Sequence, residues 1–155
     1  MTAPSAHGLG LAAVSDGQPS GRRIPVVDYL VLDGDDAHPG PHLVARACTS
    51  CGALFFDRRN ACARCGKTEF AAKPLATTGI VRSFTVVYRA APGVPVPYVS
   101  SVVELDGGGV VKGNIMEAGS DPEKFDLGMA VRLTTFPCGV DAEGTEAVAF
   151  GFTPA

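Results

Sequence analysis

From residue 79 onward, short apolar runs alternate with Gly, Pro and Asp. Five runs read as strands: "GIVRSFTVVYRA" (79–90), "PYVSSVVELD" (97–106), "GVVKGNIME" (109–117), "MAVRLTTF" (129–136) and "EAVAFGFT" (146–153). Each is rich in β-branched or aromatic residues and bounded by turn formers. "LDGGGV" (105–110) predicts a tight hairpin, because glycine adopts positive φ without steric cost. "GSDPEKFDLG" (119–128) opens on Ser-Asp-Pro, an N-cap signature, and predicts one helical turn. Phe84 and Tyr88 share one face of the first strand and are expected in the core. Arg82 shares that alternation and is expected at the mouth of a pocket. Five short antiparallel strands with one helical insert predict a small barrel. The OB-fold is the commonest five-stranded version, and a sandwich or SH3-like barrel is the alternative.

Upstream the pattern is less regular. "LVARA" (43–47) reads as a strand running into a cysteine pair, and "DGDDAHPGPH" (33–42) as turn material. "IPVVDYLVLDG" (24–34) fits either a short helix or an extended arm. Residues 1–23 are small, polar and rich in Gly and Pro, as expected of a flexible tail. The expected organisation is a tail (1–23), an arm or short helix (24–47), a cysteine-rich ribbon (48–74) and a barrel (75–155). At 155 residues, 46% hydrophobic, the chain can bury a core without disulfides.

Charge narrows the functions. The net charge of −3 counts against a nucleic-acid binder, which carries a basic footprint. The excess of basic groups is confined to residues 48–75, where Arg58, Arg59, Arg64, Lys67 and Lys73 face only Asp57 and Glu69. No apolar run approaches the ~20 residues of a membrane span. The N-terminus lacks the basic start of a signal peptide, so a reducing cytoplasm is the expected compartment.

Four of the five cysteines fall in "CTSCGALFFDRRNACARCGK" (48–67). The spacing is Cys48-x2-Cys51, ten residues, then Cys62-x2-Cys65. Each CxxC turn aims two sulfurs at one ion, and Gly52 and Gly66 follow where a knuckle needs positive φ. Four thiolates close a tetrahedral shell around one structural Zn²⁺, leaving no vacancy for substrate. Paired disulfides and a rubredoxin-type iron site use the same residues. Cys138 stands apart in "FPCGV", and the histidines (His7, His38, His42) lie in loop sequence, so no nucleophile–base pair is evident.

These residues together resemble a known family. "RACTSCGALFFDRRNACARCG" followed by "LATTGIVRSFTVVYRA", "PYVSSVVELDGGGVVKGNI" and "FDLGMAVRLTTF" is similar to the zinc-ribbon OB-fold proteins of acyl-CoA metabolism, long catalogued as a domain of unknown function. The resemblance covers roughly residues 43–136. It implies a non-catalytic accessory subunit of a thiolase-fold enzyme (a thiolase, acyltransferase or aldolase), in a hetero-oligomer with two copies of each chain. It also implies that the complex processes a coenzyme A thioester whose catalytic groups the partner supplies.

Within that frame, Arg58, Arg59, Arg64 and Lys67 are candidates for the CoA phosphates, against the plainer reading of a solvated loop. Leu54, Phe55 and Phe56 are candidates for the partner interface, against a place in the ribbon's own core. The Pro-rich "RAAPGVPVP" (89–97) fits an interface loop or an ordinary connection. Zinc ribbons and OB-folds also bind nucleic acid, which is the competing function.

Overall fold

The computed structural model of the chain describes residues 21–116 and 121–155. Their strands, in chain order, are β1 (Arg23–Pro25), β2 (Leu30–Val31), β3 (His42–Cys48), β4 (Leu54–Phe55), β5 (Phe70–Pro74), β6 (Thr78–Val87), β7 (Tyr98–Leu105), β8 (Val110–Ile115), β9 (Ala130–Val140) and β10 (Glu146–Pro154). The only helical piece among the described residues is a 3₁₀ turn, Pro122–Lys124. The protein is mainly β, in two sheets: β2 to β5 form the smaller, and β1 joins β6 to β10 in the larger.

The second sheet closes on itself. Its order is β10-β8-β7-β6-β9, and β9 pairs again with β10. Within this ring all pairings are antiparallel except β8–β10, which run parallel through Phe152 and Ile115, and β1 adds a second parallel pairing on β10. That five-stranded closed Greek key is the OB-fold arrangement. Val81, Val99, Val103, Val111, Val131, Leu133 and Phe152 point inward along alternating positions. Gly113 lies beneath the Phe152 ring, where a Cβ would stand 2.8 Å from it. The β7–β8 hairpin turns through Gly107, Gly108 and Gly109 at φ 75°, 108° and 99°, as the "LDGGGV" run predicts.

The open reading of the arm is decided in favour of the extended form, and three expectations change. Residues 24–34 form no helix: β1 runs parallel to β10 (Ile24 opposite Ala147), and β2 pairs with β3. A bulge between Val81 and Ser83 shifts the alternation of β6. Arg82 is thereby exposed and bonded to Glu104, while Phe84 turns inward onto Phe125 at 5.5 Å between ring centroids. Tyr88 lies past the end of β6 and is 64% exposed, so it is not core. The turn predicted over 119–128 is shorter, and Asp121 begins it, accepting the Glu123 amide at 3.1 Å. Residues 119 and 120, and the tail up to residue 20, lie outside the described residues.

The smaller sheet centres on β3, with β2 and β4 along one edge and β5 along the other. It rests on the barrel through one shared core: Leu30, Leu43 and Ala45 pack in the same cluster as Leu75, Leu105 and Phe152. Each such fully buried aliphatic or aromatic side chain contributes about 1.5–3 kcal/mol. The glycine hairpin forms part of the seat. A Cβ on Gly109 would stand 3.1 Å from Leu75 Cδ1, and one on Gly108 3.5 Å from Leu54 Cδ1.

Candidate metal centre

The two cysteine turns are near copies of each other. Gly52 N–H donates to Cys48 O and Gly66 N–H to Cys62 O, both at 2.8 Å. Cys48 N–H donates to Ala53 O at 2.9 Å, and Cys62 N–H to Lys67 O at 2.7 Å. Gly52 and Gly66 have φ of 72° and 74°, so glycine at both positions is a conformational requirement. The end of β3 delivers Cys48, and Thr49 N–H bonds to Glu69 O at 3.1 Å, tying the first turn to the strand that leaves the second.

The four sulfurs converge. Cys48 Sγ lies 3.6 Å from Cys65 Sγ, and Cys51 Sγ 3.6 Å from Cys62 Sγ. All four sulfurs lie within 4.8 Å of one another, and no disulfide joins them. Four sulfurs at ~2.3 Å from one tetrahedral Zn²⁺ stand about 3.8 Å apart, so the cluster fits that ion. Electrostatics point the same way. Burial opposes ionisation of Cys62, but the amides of Arg64 and Cys65 and the neighbouring thiols outweigh it, bringing the thiol down to about 7. The Lys67 amide favours the Cys65 thiolate, yet desolvation and the three other sulfurs push that thiol up to about 12. Four thiolates therefore require a cation among them. Cys48, Cys51, Cys62 and Cys65 would hold it and fill its coordination shell.

The remaining candidates sit around this centre. Arg58, Arg59, Arg64 and Lys67 are all exposed, and none is in an ion pair among the described residues. The Arg59 guanidinium lies over the Phe55 ring, 5.2 Å from its centroid. Phe55 meets Phe70 edge-on at 5.9 Å, whereas Leu54 and Phe56 pack against the shared core. Cys138 is remote from the cluster in sequence and donates to Ala147 O on the β9–β10 pair.

A recess of about 200 Å³ opens between the arm and the β3–β5 ladder. Asp28, Tyr29, Arg46, Phe56 and Phe70 supply its large side chains. Sequence reasoning missed it, because its walls come from four separate segments. The one available signal was Arg46, a charged residue inside an otherwise apolar strand.

Comparison with known proteins adds to this geometry. Residues 40–71 match the model of the ChsH2 rubredoxin-like zinc ribbon domain, and residues 72–136 that of the ChsH2 C-terminal OB-fold domain. A DUF35 domain-containing scaffold protein of Methanocaldococcus jannaschii is 34% identical over 92 residues, 57% of this chain and 64% of the relative. The benzoylsuccinyl-CoA thiolase subunit BbsA of Geobacter metallireducens is 35% identical over 65 residues, 42% of this chain and 44% of that protein. The chain thus spans less than two thirds of either curated relative. A solved structure, the Ltp2-ChsH2(DUF35) aldolase, is similar at 30% identity and TM-score 0.60, covering 73% of this chain and 84% of the matched one.

Proposed function

Because the chain belongs to the ChsH2 family of joined zinc-ribbon and OB-fold domains, we propose that it is the non-catalytic accessory subunit of a thiolase-like, acyl-CoA-processing complex. The observation that carries this reading is the closed cysteine cluster. Four ligands occupy every tetrahedral position, so the ion shapes the ribbon and performs no Lewis-acid step on a substrate. The relatives' names, a scaffold protein, a thiolase subunit and an aldolase component, support the same reading.

In this proposal a thiolase-fold partner supplies the catalytic groups, in an assembly with two copies of each chain, located in the cytoplasm. The Zn²⁺ fixes the ten-residue connector between the cysteine turns. Arg58, Arg59, Arg64 and Lys67 meet the phosphates of the coenzyme A thioester, which suits exposed cations without ion-pair partners. The partly exposed surface of Leu54, Phe55 and Phe56 continues into the partner interface.

The OB-fold surface used for single strands argues for this reading over nucleic-acid binding. On β7 and β8 the outward positions are Tyr98, Ser100, Val102, Glu104, Val110, Lys112 and Asn114, so a single aromatic, at the first position of β7, stands there in place of a row of stacking rings. The test is gel filtration of the zinc-loaded chain with a candidate thiolase-fold subunit. One co-eluting complex, with turnover exceeding that of the catalytic subunit alone, is expected. Separate elution with full activity of the isolated catalytic subunit would overturn the proposal.

A further inference from the structure

The recess between the arm and the ribbon sheet has three features that belong together. Its walls are aromatic: Tyr29, Phe56 and Phe70 line it, and the Tyr29 and Phe56 rings stand 4.7 Å apart at one side. Its rim carries opposite charges, Asp28 and Arg46, and neither is in an ion pair among the described residues. Beside it lies a second cation. Arg46 is directly opposite Phe55 across the β3–β4 ladder, and Arg59 lies over that same Phe55 ring. Cross-strand partners share a face, which puts Arg46 on the side of the ladder that carries Phe55 and, over it, Arg59. At about 200 Å³ the space is below the ~300–1,000 Å³ of a pocket for a drug-sized ligand. It has room for one flat ring system.

Flat aromatic walls, a carboxylate acceptor and two guanidiniums at one margin make a consistent set. The walls stack a heteroaromatic ring, the carboxylate accepts from an exocyclic amine, and the guanidiniums take a phosphate. We propose that this recess is a purine-nucleotide site. The base enters between Tyr29, Phe56 and Phe70, its amine faces Asp28, and its phosphate lies toward Arg46 and Arg59. The site deepens the acyl-CoA reading, on which it rests only for the identity of the nucleotide, the adenosine bisphosphate end of coenzyme A. Arg59 is shared with the cation set already assigned to the phosphates and Phe56 with the partner surface, whereas Asp28, Tyr29, Arg46 and Phe70 are new to the site.

The chain has three tyrosines and no tryptophan, so tyrosine emission reports on the recess directly. The zinc-loaded full chain is titrated with adenosine 3′,5′-bisphosphate, uridine 3′,5′-bisphosphate and inorganic pyrophosphate, by tyrosine fluorescence and calorimetry. The expected result is saturable binding with adenosine preferred. Arg46→Gln should weaken it about tenfold or more, and Asp28→Asn should narrow the preference for adenosine over uridine. Both positions are exposed, and unchanged zinc content and circular dichroism verify the fold of each variant. Tyr29→Phe should remove most of the fluorescence change while calorimetric binding persists. Pyrophosphate binding as tight as the adenosine nucleotide would reduce the recess to an anion surface and overturn the proposal. So would unaltered affinity in Arg46→Gln, or no saturation at millimolar ligand. The two proposals fail separately. An active co-eluting complex that does not bind the nucleotide overturns the site alone. Nucleotide binding by a chain that joins no thiolase-fold partner keeps the site and overturns the accessory role.

Discussion

Tyr29 and Phe56 stack with ring centroids 4.7 Å apart and planes tilted by 46°. One belongs to the arm and the other to the connector between the cysteine turns. Tyr29 also meets Phe150 of β10 at 6.1 Å, and Phe150 meets Phe152 edge-on at 6.2 Å. Four rings thus run from the metal-binding segment, through the arm, into the barrel centre.

That chain of rings predicts coupling between distant segments. Phe56→Ala should cost about 2–4 kcal/mol, towards the lower end of large-to-small aromatic substitutions because Phe56 is only half buried. A double-mutant cycle with Tyr29→Ala should give an interaction of about 0.5–1.5 kcal/mol. Urea unfolding followed by circular dichroism measures both, and strict additivity would contradict the coupling.

Metal removal should act mainly on the ribbon. Thiols must lose protons to bind zinc, so zinc affinity falls as pH falls. Chelation, or Cys62→Ser, should abolish the zinc content of about one per chain and the amide protection of residues 48–67, while the barrel ladders stay protected. Cys138→Ser, at an exposed thiol outside the cluster, should keep full zinc. Elemental analysis and hydrogen exchange read these outcomes, and complete loss of barrel protection without zinc would show that the two parts unfold together.

Tyr29 gives a pH dependence of known sign. Burial, then the nearby Asp57 and Asp28 carboxylates, raise its phenol above the usual value of 10.0. A raised folded-state pKa means that the protonated phenol favours the folded state. Its contribution is complete below pH 10 and lost as pH rises through the folded pKa. Tyr29→Phe should therefore flatten the alkaline decline in stability and remove one phenolate transition from the absorbance titration.

Gly79 is expected to resist any side chain. A Cβ there would stand 2.3 Å from the backbone oxygen of Glu104, its diagonal neighbour across the β6–β7 ladder, which cannot move without opening the pair. Gly79→Ala should cost about 1–3 kcal/mol. Gly139→Ala, where a Cβ meets nothing within 4 Å, should change stability by less than about 0.5 kcal/mol. Equal midpoints for the two variants in urea would refute the close-approach argument.

Replacing both Arg58 and Arg59 by Gln should leave fold and zinc intact, since both are exposed, and raise the KM of the complex for acyl-CoA about tenfold. Unaltered kinetics would leave the ribbon a scaffold without a phosphate role.

What the sequence revealed depended on how far each signal reached along the chain. The cysteine centre was legible because two short spacings and two glycines encode it locally. Four of the five barrel strands were legible through simple alternation. The first was legible as far as Val87; the bulge turned Arg82 away from the face of Phe84 and Val86, and the strand ended before Tyr88 could follow them inside. The arm was ambiguous because β1 has three residues and β2 two, and β1 is extended only through pairing with Glu146–Val148. The recess was invisible because Asp28, Arg46, Phe56 and Phe70 meet only after folding.

β5 has a consequence for how such chains change over time. Ala71 pairs with Ala47 and Ala72 with Arg46, so the junction of the two matched regions falls inside a hydrogen-bonded strand. A recombination event or an expression fragment cut there would leave half a strand on each side and an open ladder edge. Exchange between relatives is better tolerated when β3, both cysteine turns and all of β5 move as one cassette, with the crossover placed after Pro74.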